Sequence, residues 1–452
     1  MFYLIESKLS NHFLIIILSR EINLRKESIT LRIILIAAIT IILLIPLFMI
    51  QSLIDDRQTY RDEAVLEVSK GWAGNQNVSG PVLTVDYTKE IKDKDGKILT
   101  SNSRVNLLPE TLNYTVEIFP EKRYRGIYEV ILYRAKVKIN GKFNTNELSK
   151  TIDNKKIDAS YVSFNLSDLR GMHKESQLKW NDKDFNLSAG LRSQSVLKNG
   201  FSSAVPIELN NNDYSFAIDL MVNGLENIEF LPIGKTTNVN VKSSWNTPSF
   251  TGAFLPSERK ISEAGFTASW AINSFNRPYP QQWNDEYYDV FNSAFGLNLI
   301  VPVDQYQMTM RSSKYGLMII VLTFLSFFMI ELFGKTAIHP IQYLLVGLAL
   351  VIFYSLLLAI SEYFSFDVSY IIASMSVILL ISIYTTSIYK SFKIGSIIFL
   401  ALIVFYGFMY TILLLQDYSL LIGNIALFAL LASVMMLTRK LNWFDVLKPK
   451  TN

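Results

Sequence analysis

Residues 34–50 read ILIAAITIILLIPLFMI, an unbroken apolar run. It is close to the ~20 residues that a helix needs to cross about 30 Å of hydrocarbon. Pro46 lies inside it and is tolerated there, because membrane helices re-satisfy the carbonyl that a proline frees. Arg20, Arg25, Lys26 and Arg32 form a basic collar ahead of the run. A cleavable signal peptide would have a shorter apolar core and a small-residue cleavage site after it. Neither holds, so the run reads as an uncleaved anchor. The earlier apolar patch Phe13–Leu18 is too short to span.

From about Asp55 to Ser313 the composition is that of a water-soluble protein. Hydrophobicity then returns in five runs, Leu317–Phe333, Tyr343–Ile360, Val368–Ile388, Ile394–Leu415 and Leu420–Leu437, each long enough to span. This predicts a polytopic α-helical membrane protein with six transmembrane helices and a large exported domain inserted between the first and second. Its parts are a cytoplasmic segment 1–32, a first helix 33–54, an exported domain 55–313, five helices within 314–438 and a tail 439–452. The basic residues of the short links fall on one side: Lys335, Lys390, Lys393 and the tail's Arg439, Lys440, Lys448 and Lys450. Glu362, Asp367 and Asp417 fall on the other. The positive-inside rule then puts both termini in the cytoplasm and the large domain outside. For a bacterium the expected location is the inner membrane, multi-pass, with the domain in the periplasm and the lipid bilayer as first partner.

Composition narrows the chemistry. Hydrophobic residues make up 50% of the 452 residues and charged residues only 18%, below the quarter usual for soluble proteins. The net charge of +4 points to no nucleic-acid partner. The absence of cysteine excludes disulfides, thiolate metal sites and thiol catalysis. Three scattered histidines (His12, His173, His339) cannot build a His-rich metal centre, and no cofactor is expected.

Within the exported segment, Leu53, Ile54, Arg57, Arg61, Ala64, Val65 and Val68 recur at helical spacing. The first helix is therefore expected to run on as a stalk, ended by Gly71 and Gly74. Beyond Pro81 the period becomes two. Ile131, Tyr133, Ala135, Val137 and Ile139 alternate with polar partners, and Val239, Val241 and Trp245 mark another strand. Asp95–Gly96, Asn140–Gly141 and Asn223–Gly224 read as two-residue hairpin turns. No alternation of strands and helices is visible, so a mainly antiparallel, sandwich-like β domain is predicted.

Motifs for nucleophilic or phosphate chemistry are absent. Glu331 with Lys335 one turn on reads as an interfacial ion pair. Two alternatives remain beside a binding role: a transporter or lipid-handling protein using the last five helices, and a periplasmic hydrolase with paired carboxylates.

Several blocks together resemble the CreD family of bacterial inner-membrane proteins. They are LLIPLFMIQSLIDDRQTYRDEA (43–64), GWAGNQNVSGPVL (71–83), YRGIYEVILYRAKVKINGKF (124–143), SDLRG (167–171), SSWNTPSFTGAFLPSERKISEAGFTASW (243–270), PVDQYQMTMRSSKYGLMII (302–320), HPIQYLLVGLALVIFYSLLLAISEYFSFDVSYIIAS (339–374) and QDYSLLIGNIALFALLASVMMLTRKLNWFD (416–445). The resemblance covers roughly residues 33–445. It implies a cell-envelope integrity protein linked with a two-component system and envelope stress, with no established reaction. Together with a large exported domain that lacks a catalytic motif, it leads to the expectation that this domain binds a periplasmic or envelope partner. The first thirty or so residues depart from the family pattern, as does Thr247, where a His often precedes the Pro. Within the matching blocks, Gly80, Gly126, Gly171, Gly252 and Gly265 read as turn glycines. The candidate functional residues are Asp168 and Arg170 in one loop, Trp245 and Phe254 in an aromatic-rich stretch, and Glu331 and His339 at the cytoplasmic ends of helices.

Overall fold

The computed structural model describes residues 29–92, 98–152, 155–173, 176–208, 213–299, 305–334, 338–415 and 419–439. The Phe13–Leu18 patch, Asp95–Gly96 and Lys335 lie outside them. The chain packs as two units, Tyr60–Pro302 and the remainder.

Helix α1 (Ile29–Gly71) runs unbroken through Pro46 for 43 residues, about 64 Å at 1.5 Å per residue, so the anchor does continue as the expected stalk. Among the described residues, seventeen strands follow, with one short α-helix among them. They are β1 (Gln76–Lys92), β2 (Ile98–Leu107), β3 (Thr111–Arg125), β4 (Tyr128–Asn144), helix α2 (Asn146–Ile152), β5 (Lys156–Leu166), β6 (Gln177–Trp180), β7 (Lys183–Asn186), β8 (Ser188–Ala189) and β9 (Gly200–Ala204). Then come β10 (Asp213–Leu225), β11 (Asn227–Phe230), β12 (Thr236–Ser243), β13 (Pro248–Gly252), β14 (Glu258–Ser262), β15 (Gly265–Asn273), β16 (Gln282–Asn284) and β17 (Phe295–Leu299). The remaining helices are α3 (Gln305–Lys314), α4 (Gly316–Gly334), α5 (Pro340–Ser361), α6 (Phe366–Tyr389), α7 (Phe392–Leu414) and α8 (Ser419–Thr438).

The strands form a nine-stranded sheet around β1 and an eight-stranded sheet in the order β14-β15-β12-β3-β4-β10-β6-β7. Their inner faces share one core. Tyr114 of β3 packs on Phe230 of β11 with ring centroids 5.4 Å apart, and Trp270 of β15 on Phe295 of β17 at 5.7 Å. The Tyr114 hydroxyl donates to the Gly80 carbonyl across the same gap. Every residue of the predicted alternating set Ile131, Tyr133, Ala135, Val137 and Ile139 is buried there. Such burial contributes about 1.5–3 kcal/mol for each large aliphatic side chain.

The strand pairings are mainly antiparallel, as expected, but β1 with β11 and β3 with β12 run parallel, so the sheets are mixed. Two expectations need correction. Asn140–Gly141 and Asn223–Gly224 are not turns but lie inside β4 and β10. Space rather than chain reversal demands these glycines: a Cβ on Gly141 would sit 1.9 Å from the Thr111 carbonyl oxygen, and one on Gly224 2.2 Å from the Tyr133 hydroxyl. The β3–β4 turn is Gly126–Ile127 instead, with Gly126 at φ +62° at the first central position, which a Gly-led hairpin requires. Lastly, β12 stops at Ser243, before Trp245.

In the helical unit, α1, α5, α6 and α7 are each long and apolar enough to cross a bilayer; α3 and α4, bent by 44° at their junction, together make a fifth candidate. Helix α8, 20 residues over the sixth expected run, is not among these candidates, so the described residues supply four or five candidate spans where six were expected. The helices expose large apolar side chains such as Ile41, Ile45, Ile352, Ile383 and Leu400, as chains solvated by lipid do. On α1 the buried positions Ile39, Leu43 and Leu47 form an i, i+4 stripe. Leu43 lies against Gly347 and Leu47 against Gly316, the small-residue close approach by which membrane helices associate.

Candidate functional site

The loop carrying Asp168 closes the junction between the end of α1 and the sheets. Val65, Val68 and Trp72 pack on Val130, Leu132 and Leu225. Two guanidinium groups lie over the Trp72 ring, Arg123 at 4.8 Å and Arg134 at 5.6 Å from its centroid. Asp168 caps the 3-10 turn Leu169–Gly171. Its Oδ1 accepts from the Arg170 backbone N–H (3.1 Å) and Nε (2.9 Å), and its Oδ2 from the Gly74 N–H (3.0 Å) and Arg170 Nη2 (2.6 Å). A carboxylate offers about four acceptor directions, and all four are used within the protein. The Arg170 guanidinium, followed by the Gly74 and Arg170 amides, holds the Asp168 carboxyl below its ordinary value against some loss of solvation. Arg170 Nη1 also donates to the Lys70 carbonyl, one of the orphan acceptors at the end of α1.

Gln76 completes this clamp and was not among the candidates, since one more polar residue in a polar block carries no periodic signal. It is buried; its Nε2 donates to the carbonyls of Asp168 (2.9 Å) and Asn223 (3.0 Å), and its Oε1 accepts from the Asp168 N–H (3.1 Å). Gly171 owes its identity to this packing, not to a turn angle. A Cβ there would lie 2.4 Å from the Asn223 carbonyl oxygen and 2.5 Å from Gln76 Nε2. The other four expected turn glycines, Gly80, Gly126, Gly252 and Gly265, do have positive φ, although Gly80 lies at a register irregularity inside β1 and not in a turn. Nearby, half-buried Glu226 holds φ +47°. Loss of solvation raises its pKa, with Arg61 opposing and Asp62 adding to the shift.

Trp245 and Phe254 are half-buried against the sheet core. Phe254 meets Phe295 edge-on at 6.0 Å, and its carbonyl accepts from Trp270 Nε1 at 3.1 Å. Phe250 joins them by edge contacts to Phe266 and Trp270. Lys122 lies 5.6 Å over the Trp245 ring.

In the helical unit, Glu331 is buried and pairs with Arg32 of α1, 299 positions away in the chain. Its oxygens also accept from the Ile338 N–H (3.2 Å) and the Tyr343 hydroxyl (3.1 Å). Arg32 was visible in the sequence only as part of the basic collar. His339 caps α5: its Nδ1 accepts from the Ile341 N–H, the Gln342 side chain accepts from the His339 N–H, and Pro340 follows at the first helical position. A cavity of about 20 Å³ beside Arg32, Glu331 and Tyr343 has room for one water. The six candidates thus sit in three places: Asp168 with Arg170, Trp245 and Phe254 in the aromatic packing, and Glu331 near His339. Among the described residues no group of three or more His, Cys, Asp and Glu is placed to hold a metal ion.

The chain is similar to proteins already known. The family model described as "Inner membrane protein CreD" matches residues 28–444. A protein of Escherichia coli (strain K12) named Inner membrane protein CreD is 31% identical over 422 residues, covering 91% of this chain and 92% of the relative. Two solved structures of an M1 zinc metallopeptidase from Deinococcus radiodurans, one bound to a tripeptide substrate, align with TM-scores of 0.20 and 0.19 at 7% identity, over 46% of this chain and 53% of theirs. That likeness is too slight to bear on fold or chemistry. With the match running through the anchor, both β sheets and the membrane helices, the chain belongs to the CreD family of inner membrane proteins.

Proposed function

We propose that the protein contributes to cell-envelope integrity and the envelope-stress response without catalysing a reaction. In this reading both termini are cytoplasmic, and the β unit lies in the periplasm, where it engages a protein partner or another envelope component. The observation that carries it is the family match along nearly the whole chain, joined to apolar helices that flank a large β unit. The orientation rests on the one-sided placement of Lys and Arg in the short links. The non-enzymatic part is supported by how carboxylates are used. Asp168 spends its acceptor directions on the α1 junction, and Glu331 is tied to Arg32, Ile338 and Tyr343. The water-sized cavity at Glu331 gives a transport reading no support.

Protease added to spheroplasts should cut within residues 60–302 while tags on both termini survive. Cutting only after the membrane is opened would overturn the orientation. Cells lacking the gene should release more of a periplasmic marker under β-lactam challenge, and re-expression of the chain should reverse this. Equal release in both strains would overturn the integrity role.

A further inference from the structure

Helices α1 and α4 leave a groove of about 480 Å³ between them. One wall is a stripe of α1, Ile33, Ala37 and Ile41, at i, i+4 and i+8; the other is a stripe of α4, Val321, Leu325 and Phe328, at i, i+4 and i+7. From Ile33 to Ile41 the groove runs about 12 Å at 1.5 Å per residue, most of the ~15 Å that one leaflet contributes to about 30 Å of hydrocarbon. A volume of 480 Å³ over about 12 Å gives a mean cross-section of about 40 Å², half the ~80 Å² of a helix about 10 Å across.

Two features select what fills it. The first is the polarity of the walls. No lining residue is charged, and the one polar side chain, Thr40, turns its hydroxyl onto its own helix, where it donates to the Ile36 carbonyl at 2.9 Å. A water molecule or a polar ligand would give up hydrogen bonds on entry and find none in return. The second is the size of the wall residues. Where α1 does meet other helices, Leu43 lies against Gly347 and Leu47 against Gly316, small residues that let helices come close. The groove lining has no glycine, and Ala37 is its one small apolar residue. Such walls hold a second helix off and leave a slot for something thinner. Left empty, the slot would forfeit the dispersion contacts of both walls.

We infer that this groove binds an acyl chain of a membrane phospholipid, lying lengthwise, from the leaflet on the side of Arg32 and Glu331. That ion pair adjoins the groove, since Ile36 lines both the groove and the small cavity beside the pair. A hydrocarbon chain matches the walls in polarity, in thickness and in length. It touches two helices at once, whereas a chain on a convex face touches one, so it is held there in preference to the bulk lipid around the other helices.

The test uses the full chain in nanodiscs of phosphatidylethanolamine and phosphatidylglycerol, in which a fraction of the acyl chains carries a diazirine at mid-chain. After illumination, lipid adducts on residues 33–41 and 321–328 should exceed those around Ile383 and Leu400 about threefold. Those two reference side chains, 66% and 63% exposed, are as open to lipid as Ile41 at 66%. Ala37→Phe, which fills the groove from one wall, should bring the ratio to about one with an unchanged melting temperature. Val321→Phe should do the same from the other wall, and Ile383→Phe should leave the ratio as in the wild type. Equal labelling of the groove and the reference positions in the wild-type chain overturns the inference, as does a ratio that both groove variants leave unchanged. Cross-links between the α1 helices of two copies in place of lipid adducts overturn it too, because a second chain then occupies the groove.

Discussion

The two units each contain a carboxylate held by an arginine, and the two pairs differ in every other respect. Asp168 and Arg170 are two residues apart, and the arginine side chain is 58% exposed. Glu331 and Arg32 are separated by most of the chain and are only 6% and 19% exposed. The first pair is local and wet. Its role is to satisfy backbone groups at the end of α1 and in the loop at Gly74. The second joins the first helix to the later ones where water is scarce. An unpaired charge costs little in the first setting and several kcal/mol in the second.

The largest expected effect comes from breaking the dry pair. Arg32→Leu leaves the Glu331 carboxylate buried without a cation and should destabilise the helical unit by about 3–5 kcal/mol. Unfolding of the full chain in lipid by a denaturing detergent measures this. Replacing both partners by leucine should recover much of the loss, because no charge is then stranded. A double variant as unstable as the single one would show that the pair matters for its shape and not its charge.

Gly171→Ala comes next. The added methyl meets a backbone carbonyl and the buried Gln76, neither of which yields cheaply, so about 1–3 kcal/mol should be lost from the β unit. Gly126→Ala, where nothing lies within 4 Å, should cost less, from its positive φ alone. Equal losses by thermal unfolding would remove the packing explanation for Gly171.

Asp168→Asn removes the ionic component of the clamp and should cost about 1–2 kcal/mol at neutral pH. The sign of its pH dependence follows from a carboxyl held below its ordinary value of 3.8. Its stabilisation is present above that value and is lost as pH falls through the lower folded-state pKa. The wild type should lose this contribution in strong acid, and the variant should lack that slope. Glu226, at the same junction, should have the opposite sign and the smallest effect. Its pKa is raised by burial, so the stability it contributes is present below its ordinary value of 4.5 and is lost as pH rises through the folded-state pKa. Glu226→Gln should raise neutral-pH stability by less than about 1 kcal/mol and flatten the profile above pH ~4.5. A variant with an unchanged profile would assign that slope elsewhere.

How much of this was legible beforehand depends on the range of each signal. The helices, the stalk and the alternation of Ile131 to Ile139 follow from periodicity, which is a local property of the chain. The pairing of Asp168 with Arg170 is local too, within one loop whose two residues were candidates, but that they pair with each other is seen only in the structure. Arg32 and Gln76 were not legible, because a charge or an amide does not announce a partner hundreds or tens of residues away. The hairpin readings at Asn140–Gly141 and Asn223–Gly224 failed for a related reason. Asn-Gly favours a tight turn, but here the neighbouring strands needed the space that a side chain would fill.

By itself the sequence determined which segments seek lipid and which seek water, because the cost of burying backbone and side-chain groups in hydrocarbon is paid residue by residue along the chain. It also determined the helical and β character of each segment. The tertiary structure alone decided which strands run parallel, which glycines serve space instead of turning, and which arginine neutralises Glu331. Those outcomes depend on contacts between residues far apart in sequence, and the free energy of such a contact exists only once the chain has closed the loop between them.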